Sequence, residues 1–443
     1  MERSERMRIV VIGAGAAGMM AAAEASRRGA EVILLEKNRK TGVKILMSGG
    51  TRCNLTQDTN AKGITEAFGH AQRFLQPSVG RFSPREVIAH FESLGVPTKR
   101  EATGKIFPKS DRAVDVRDAL HRNMIEAGVR LEMDSPVEQL SSLDDGTWSI
   151  STKSSHGQHQ LLADRVIVTA GGQSWPGCGT TGDAYAWLEN LGHQIVRPRP
   201  ALVPLVGGTE ATRGLSGLTI DDVIAEVFTD QFKSGKKPKV RRRSSWLFTH
   251  FGFSGPAAMD VSGAMTELNE IEHAKLRLDL IPDIFESELQ DIFDRRTGRN
   301  GRQSVSRVLS RWLPSRLADV LLTDCAARTN RGARTNCGGR TDASETPMAE
   351  ISAQTWRRLT ERLKRWSLPV HDTRGFAKAE VTAGGVSLKD VDPQTLQSRR
   401  CSGLYIAGEV LDVDGWIGGY NFQAAFSTGR AAAIAACQSA VTN

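Results

Sequence analysis

The sequence predicts an α/β fold: a Rossmann-type domain, with a parallel sheet between helices, split by an insert made of a small β-barrel or sheet and a helical subdomain. Three observations predict it. A glycine-rich turn separates two apolar runs near the N-terminus, and further strands that run into glycine-containing turns follow near the C-terminus. Between them the apolar pattern first alternates and then takes the helical period. A chain of 443 residues has room for two or three such parts.

Composition excludes several classes of protein. The chain is 40% hydrophobic and 24% charged, which is typical of globular proteins and not of disordered or fibrous chains. The apolar segment 9–25 is interrupted by glycines and charges, so we expect no membrane span, and the first residues lack the features of a signal peptide. Six scattered cysteines without a CxxC pair favour reduced thiols, and we expect a cytoplasmic protein.

The N-terminal elements follow a strand–turn–helix–strand order. Residues 8–13 form a short β-branched run that predicts a buried parallel strand. The turn 13–18, Gly-Ala-Gly-Ala-Ala-Gly, leads into an alanine-rich helix that we expect to end near Arg28. Residues 31–36 form the second strand, with an acid at its carboxyl end. This context makes the glycine motif a strong signal for dinucleotide binding.

Each residue type in this unit has a physical role. Gly13 permits the tight turn, Gly15 lets the backbone approach a pyrophosphate, and Gly18 lets helix and strand pack closely. The helix N-terminus offers amide groups and a positive dipole end to the phosphates. Glu36 is placed to accept hydrogen bonds from a ribose diol. The predicted contacts of this unit are Gly13, Gly15, Ala16, Ala17, Gly18, Glu36 and Lys37.

Later segments favour FAD over NAD as the dinucleotide. Residues 164–172 and 402–409 are strands that run into turns of small residues, and the second ends in a Gly-acid pair that suits a ribityl chain. The glycine pair in 418–421 starts a helix whose amides can stabilise charge at flavin N1 and O2. The predicted contacts here are Ala170, Gly171, Gly408, Glu409, Asp412, Gly418, Gly419, Tyr420 and Asn421.

These motifs together resemble the HI0933-like flavoproteins, also called the BaiN/YhiN-like group, relatives of the glutathione-reductase-type FAD fold. The resemblance spans nearly the whole chain and rests most on the loop 40–56 and on the segments 248–256, 382–386, 408–412 and 418–421. It implies a Rossmann-type FAD-binding domain, non-covalent FAD and a redox role. Two departures are visible: Thr51 stands where the family usually has a third glycine, and Thr169-Ala170 replaces an Ala-Thr pair.

The resemblance places the loop 40–56 beside the flavin ring. Its predicted contacts are Lys44, Ser48, Gly49, Gly50, Arg52, Cys53 and Asn54. Three side chains are candidate catalytic groups. Either Lys44 or Arg52 stabilises a reduced, anionic flavin, or both only anchor phosphate or carbonyl groups. Tyr420 either donates a proton to the substrate or packs with its hydroxyl hydrogen-bonded. Cys53 has no resolving cysteine nearby in the sequence, which favours a structural role over a redox one.

The chain divides into five predicted parts. The strand that contains Val137 is expected to meet the adenine through its backbone. Residues 328–343, rich in Arg, Thr, Asn and Gly, are expected to form a loop or hairpin, and the stretch 197–200 a stiff linker. The parts are the first FAD-domain segment 1–196, a β-rich barrel 197–280, a helical subdomain 281–344, a return through the insert 345–371, and the second FAD-domain segment 372–443.

The function predicted from these observations is that of an FAD-dependent oxidoreductase, with transfer of hydride between a small organic substrate and the flavin. Only the GxGxxG motif at 13–18 directly follows a predicted strand, so either NAD(P)H docks only transiently as the donor or the electrons come from the substrate itself. The alternatives are a flavoprotein that acts on RNA, as tRNA-modifying enzymes do, and a flavin-bearing sensor. The basic insert motivates the RNA alternative, but few aromatic residues accompany it. We expect no nucleic-acid partner, no membrane and no metal.

Overall fold

The structure is a computed structural model that describes residues 6–154, 157–228, 237–268, 271–296, 299–327 and 346–438. The chain forms two compact units, Met1–Ala201 with Phe376–Asn443 and Leu202–Gly375. The predicted loop at 328–343 lies outside the described residues. None of the helices in the described ranges has both the length and the apolarity needed to cross a membrane.

Strands and helices alternate along much of the chain. The strands are β1 Arg8–Ile12, β2 Glu31–Leu35, β3 Thr56–Gln57, β4 Thr98–Arg100, β5 Lys105–Pro108, β6 Arg130–Glu132, β7 Val137–Ser142, β8 Trp148–Ser154, β9 Gly157–Ala163, β10 Arg165–Val168, β11 Ile195–Ala201, β12 Leu205–Gly207, β13 Thr219–Phe228, β14 Val240–Phe248, β15 Gly252–Ser254, β16 Lys275–Asp279, β17 Trp366–Leu368, β18 Val370–Thr373, β19 Val381–Val386 and β20 Leu404–Ile406. The helices are α1 Ala16–Arg27, α2 Val43–Met47, α3 Ala61–Glu66, α4 Gln72–Arg81, α5 Pro84–Ser93, α6 Ala113–Glu126, α7 Asp183–Asn190, α8 Glu210–Arg213, α9 Pro256–Thr266, α10 Glu286–Asp294, α11 Val305–Leu309, α12 Ser315–Ala327, α13 Ala353–Arg365 and α14 Tyr420–Ala436.

The first unit is built on a five-stranded parallel sheet. Its strand order is β20-β10-β1-β2-β6, and every pair in it is parallel. The central strand β1 is buried from Ile9 to Ile12 because helices cover both faces of such a sheet. The chain enters the sheet near its start and returns at β20 near its end. This confirms the predicted Rossmann-type α/β domain.

Smaller antiparallel sheets complete the first unit. β7, β8 and β9 form one sheet, and β3, β5 and β4 form another. The strand β11 pairs with β19 from Ile195↔Val386 to Ala201↔Val381. The expected linker at 197–200 is therefore wrong, because Arg199 and Pro200 lie in this ladder. The predicted boundary at 196/197 falls inside a strand of the first unit, and the chain divides after Ala201 instead.

Helix α5 begins at a capping box that its sequence predicts. Ser83 is the N-cap, Pro84 is the first helical residue and Glu86 is the third. The Glu86 carboxylate accepts from the Ser83 amide at 2.9 Å. This pairing satisfies an amide that the helix itself leaves without an acceptor.

The second unit contains a seven-stranded antiparallel sheet and a group of helices. Its strand order is β17-β16-β13-β14-β15-β12-β18, and Trp246, Phe248 and Phe253 pack together in its core. The helical part extends beyond the predicted limit of 344, because α13 joins it. Trp356 of that helix is buried and its indole Nε1 donates to Leu289 O of α10 at 3.2 Å. The predicted return segment 345–371 therefore contains a helix and the strand β17.

Thr51 adopts a backbone conformation that glycine normally supplies. Its φ is 69°, close to the φ of 55° at Gly49 and 65° at Gly50. A β-branched side chain is strained in this left-handed region. The Thr51 carbonyl nevertheless accepts from the Ala113 amide at 2.8 Å, which ties the loop to the start of α6.

We predict that Thr51→Gly raises the free energy of unfolding by about 1 kcal/mol, because it removes left-handed strain that exceeds the flexibility a glycine adds to the unfolded chain. Thr51→Ala keeps a Cβ at the same φ and is the matched control. Urea unfolding of both variants measures the effect. A Thr51→Ala variant as stable as Thr51→Gly would contradict the strain at this position.

Candidate functional site

The glycine turn after β1 has two crowded positions and one open one. A Cβ on Gly13 would lie 2.8 Å from Thr169 O, and a Cβ on Gly18 would lie 1.8 Å from Gly13 O. No protein atom lies within 4 Å of the Cβ position of Gly15, which precedes α1 as its N-cap. Protein atoms therefore occupy the space beside Gly13 and Gly18, whereas the space beside Gly15, at the start of α1, is open. This cradle fits the pyrophosphate of a dinucleotide such as FAD.

The carboxylate of Glu36 is fixed at the carboxyl end of β2. It is 7% exposed and accepts from the Ala14 amide at 2.7 Å and from the Asn38 amide at 2.9 Å. Each carboxylate oxygen has a further lone pair for a ribose hydroxyl. The ribose role of Glu36 stays a prediction. Its bond to Ala14 is a second role that spacing in the sequence did not indicate.

Lys37 and Val137 are placed by neighbours within the protein. The Lys37 ammonium donates to Thr181 Oγ1 at 2.7 Å and pairs with Asp183 at the start of α7. Val137 begins β7 and pairs with Thr152 beside a bulge in the ladder. The expected adenine contact of Val137 and the expected cofactor contact of Lys37 stay predictions.

Three strand ends bring distant glycines to one edge of the parallel sheet. Gly13 follows β1, Gly171 comes soon after β10 and Gly408 follows β20, and all three have positive φ. Carboxyl ends of parallel strands meet at one edge, which is where ligands bind in such folds. The Gly408 amide donates to Thr428 Oγ1 of α14 at 3.0 Å. The structure therefore brings the N-terminal and C-terminal motifs together, as the sequence predicts.

Lys44 and Glu409 form an ion pair. Neither the loop 40–56 nor the segment 402–409 indicates this pair by itself. The Lys44 ammonium lies 2.5 Å from Glu409 Oε2 and 2.5 Å from Ser174 Oγ. The other oxygen of Glu409 accepts from Ser174 Oγ at 2.7 Å and from the Thr382 amide at 3.0 Å. Sequence analysis missed Ser174 and Thr382 as members of this group. The segment 382–386, which contains Thr382, was the available signal.

A further carboxyl group lies near this pair. Burial raises the pKa of Glu380; Lys44 opposes the rise and Glu409 adds to it. Glu380 is thus poised to hold a proton more readily than an exposed glutamate. Perturbed carboxyl groups of this kind are common at functional sites.

Arg52 is engaged by two carboxylates and an aromatic ring. Its Nη1 lies 2.7 Å from Glu101 Oε1 and 3.4 Å from Asp111 Oδ1, and its guanidinium lies 4.1 Å from the centre of the Phe107 ring. The hydrogen bond with Glu101 raises the pKa of Arg52. Its charge is therefore balanced by Glu101, in the turn between β4 and β5, and by Asp111, which follows β5. The predicted role of Arg52 beside an anionic flavin stays a prediction.

Cys53 has the environment of a structural cysteine. It is fully buried, and its amide donates to Ser48 O at 3.2 Å. Burial raises the pKa of its thiol to about 12. A reactive cysteine needs a depressed pKa and access to solvent. These features favour the structural interpretation over the redox one.

Asn54 and the glycine pair lie together at the start of α14. A Cβ on Gly419 would lie 2.8 Å from Asn54 Oδ1, and that buried oxygen has no hydrogen-bond partner among the described residues. An unpartnered buried acceptor indicates a missing donor. The ring of Tyr420 packs edge to face with Trp416 at 5.9 Å. Its position at the helix start keeps it a candidate proton donor.

Two predicted cofactor contacts also brace loops. Asn421 Oδ1 accepts from the Gly415 amide at 2.8 Å, and Asp412 Oδ1 accepts from the Gly384 amide at 3.0 Å. Asp412 also lies 3.3 Å from His70, which has a raised pKa because of their hydrogen bond. The ligand atoms of His70, Asp412 and Asp414 lie within 4.8 Å of one another. A histidine beside carboxylates is satisfied as an ion pair, and we assign no metal here.

Comparisons with known proteins agree over nearly the whole chain. Residues 7–435 match the family model of the HI0933-like protein Rossmann domain. A 3-dehydro-bile acid delta(4,6)-reductase of Clostridium scindens is 31% identical over 434 residues, which cover 97% of this chain and 99% of that protein. A ribosomal RNA dihydrouridine synthase of Escherichia coli is 29% identical over 432 residues, with 97% and 98% covered, and one of Haemophilus influenzae is 28% identical over 429 residues, with 96% and 97% covered.

A solved structure supports the fold. The 3-ketosteroid-delta4-(5alpha)-dehydrogenase of Rhodococcus jostii RHA1 matches with a TM-score of 0.50 and 16% identity over 99% of both chains. Identity this low shows a shared fold and nothing finer.

We predict that Gly15→Ala and Gly18→Ala have opposite signatures. Gly15→Ala meets no protein atom, so the flavin-free protein should unfold as the parent does while its affinity for FAD falls at least about tenfold, since a methyl group enters the pyrophosphate cradle. Gly18→Ala overpacks the turn and should lower the free energy of unfolding by about 1–3 kcal/mol. Thermal unfolding without FAD and titration with FAD separate the two effects. Equal losses of stability would contradict the open position at Gly15.

We predict that Cys53→Ser leaves FAD bound and lowers turnover by less than about tenfold, because a thiol of such raised pKa carries little thiolate near neutral pH. Cys178→Ser, at a less buried position, is the control. An anaerobic dithionite titration should show uptake of two electrons per flavin in the parent. Uptake of four electrons would reveal a coupled disulfide and refute the structural role.

Proposed function

The chain belongs to the HI0933-like protein family, and on that premise we propose that it reduces a carbon–carbon double bond that is conjugated with a carbonyl group of a small organic molecule. This chain is a flavin-dependent oxidoreductase, which is the class of enzyme that the sequence predicts. The single observation that carries the proposal is that relatives covering nearly the whole chain are named for two reactions of one chemical kind.

The shared chemistry follows from the two names. A delta(4,6)-reductase acting on a 3-dehydro bile acid removes unsaturation conjugated with a 3-oxo group. A dihydrouridine synthase saturates the double bond of uracil that is conjugated with a ring carbonyl. When a double bond is conjugated with a carbonyl group, hydride adds to the carbon remote from the carbonyl, and a proton adds to the carbon next to the carbonyl. A site for either reaction needs a hydride source, a proton donor and polar groups for the carbonyl.

The residues of this chain fit those requirements. When bound, FAD supplies the hydride. The turn at Gly15 would hold its pyrophosphate, and Glu36 its ribose. Tyr420 would hold the proton for the second carbon, because its hydroxyl belongs to a residue at the start of α14. The ammonium of Lys44, 2.5 Å from Glu409, would keep a positive charge fixed near the sheet edge.

We further propose NAD(P)H as the reductant of the flavin. Only the glycine motif at 13–18 directly follows a strand and opens a helix, and FAD would occupy it, so the nicotinamide would dock transiently. The absence of CxxC pairs supports a cytoplasmic location, as predicted from the sequence.

Reduction of a uridine in RNA is the second candidate, and two relatives named ribosomal RNA dihydrouridine synthases favour it. The basic strand β14 offers it little support. Arg241 lies 3.3 Å from Glu226, and Arg242 lies 3.0 Å from Asp260. Arg243 lies 2.6 Å from Asp222. Charges balanced in this way add less to phosphate binding than unpaired ones, since each arginine must first exchange its carboxylate partner.

The test is anaerobic reduction of the purified flavoprotein by NADH or NADPH, followed by mixing with a steroidal 4,6-dien-3-one, with uridine or with ribosomal RNA fragments. We expect reoxidation of the flavin and a product that carries two added hydrogens. Tyr420→Phe keeps the ring and should slow reoxidation by about 100-fold or more, the usual contribution of a general acid. Reoxidation by RNA but not by the dienone would favour the second candidate. Failure of every conjugated acceptor would refute the reaction class.

A further inference from the structure

A cavity of about 250 Å³ lies in the first unit, between the second half of α14, the end of α4 and the segment that joins β19 to β20. Its lining residues on α14 recur every three or four positions, so they share one face of the helix. They are Ser427, Arg430, Ala431, Ile434, Ala435 and Gln438. A helix rises by about 1.5 Å per residue, so Arg430 lies about 15 Å along the axis from Tyr420. The cavity is therefore separate from the candidate site at the helix start.

The elements around the cavity are held in place by packing and hydrogen bonds. The opposite face of α14 packs closely on α1, since a Cβ on Gly429 would lie 2.3 Å from Ala17 O. On the cavity side, Ser427 Oγ donates to Phe82 O at 2.8 Å and accepts from Gln423 Nε2 at 2.9 Å. These bonds connect α14 to the end of α4, so the cavity has fixed walls.

The cavity carries more positive than negative charge. Arg81 lines it and donates to Gln394 twice, from Nη1 to the backbone oxygen at 2.7 Å and from Nη2 to the side-chain oxygen. Both acceptors are neutral, and no carboxylate among the described residues pairs with Arg81. Arg430 lies 3.3 Å from Glu24, but Arg28 pairs with the same carboxylate at 2.8 Å. One acid therefore serves two arginines, and the charge of Arg81 is not balanced.

The neighbouring His90 is affected by this positive charge. Its ring packs edge to face with the ring of Phe82, and the Arg430 guanidinium lies 4.9 Å from the centre of the Phe82 ring. Burial lowers the pKa of His90 to about 4, and the charges of Arg27 and Arg430 add to the effect. A field that disfavours a further cation favours an anion.

Ser78 supplies an unused hydrogen-bond donor. It is 1% exposed, it lines the cavity, and its Oγ has no hydrogen-bond partner among the described residues. Buried polar side chains normally have a partner, so this hydroxyl indicates a ligand atom. Apolar groups line the same cavity, among them Phe82, Ala431 and Ile434. The cavity thus combines positive charge, an unused donor and apolar surface.

We propose that this cavity binds a small organic anion, a carboxylate or phosphate group on an apolar body. The anionic group accepts from the Arg430 guanidinium and the Ser78 hydroxyl, and Arg81 adds positive potential. The apolar body contacts Phe82 and Ile434. The volume is below the roughly 300–1,000 Å³ of pockets for drug-sized ligands, so the ligand is a small one. The inference goes beyond the proposed function, because none of these residues takes part in it.

The test compares anions with matched compounds that lack one feature. The full-length protein, saturated with FAD, is titrated calorimetrically with hexanoate, hexyl phosphate, hexanamide and acetate. Hexanamide keeps the apolar body without the charge, and acetate keeps the charge without the body. We expect hexanoate or hexyl phosphate to bind at least about tenfold more tightly than hexanamide and acetate. The tighter of the two identifies the carboxylate or the phosphate, and two anions that bind no more tightly than both controls overturn the inference.

Arginine variants place the binding in this cavity. Arg430→Met keeps the apolar stem and loses the guanidinium, so it should weaken binding of the tighter anion at least about tenfold. Arg85→Met removes an exposed arginine of α5 that does not line the cavity, and it should leave the affinity unchanged. Equal affinities in the parent and in a folded Arg430→Met variant would overturn the site.

Ser78→Ala separates a ligand contact from a structural role. It removes a hydroxyl without a partner, so urea unfolding of the ligand-free protein should not shift to lower urea, while the affinity for the anion falls about threefold or more. If Arg430→Met fails to fold, Arg81→Met, at an exposed position, tests the positive charge and should also weaken binding. Full affinity in both Ser78→Ala and Arg81→Met would overturn the assignment.

Discussion

The close approach of α1 to the turn after β1 is the constraint on which the rest of the first unit depends. A side chain at Gly18 would overlap Gly13 O, so the helix can start where it does only with glycine there. That start directs the helix dipole and its first amides at the open position beside Gly15. The same packing fixes the edge of the sheet at which β10 and β20 end. The C-terminal motif 402–409 lies at this edge, because β20 ends there.

Charged side chains at that edge are paired with side chains of opposite charge. Lys44 and Glu409 come from opposite ends of the chain and meet at 2.5 Å, with Ser174 bonded to both. Partly buried charges are tolerated when each is paired and hydrogen-bonded. Glu380 is buried near this pair, and burial raises its pKa. The pair therefore fixes two opposite charges at this edge and stabilises the contact between the loop 40–56 and the C-terminal strands.

The polar side chains of the site differ in whether the protein itself supplies their hydrogen-bond partners. Arg52, Asp412 and Asn421 have partners within the protein, and Cys53 is fully buried, which raises the pKa of its thiol. Asn54 and Gln57 instead keep an acceptor open beside the glycine pair. An open buried acceptor is costly unless a ligand supplies the donor, by about 1–3 kcal/mol.

The sequence by itself determined the parallel-sheet domain, the glycine turn with Glu36 and the cap of α5, because each depends on residues close together in the chain. Local spacing could not determine the end of the first unit. Arg199 and Pro200 look like a linker, yet they pair with β19 nearly 200 residues later. Only the tertiary structure decided that Lys44 meets Glu409, that Trp356 brings α13 into the helical part, and that Gln57 faces Gly418. Those contacts depend on which strands and helices become neighbours, and long-range packing sets that, not local propensity.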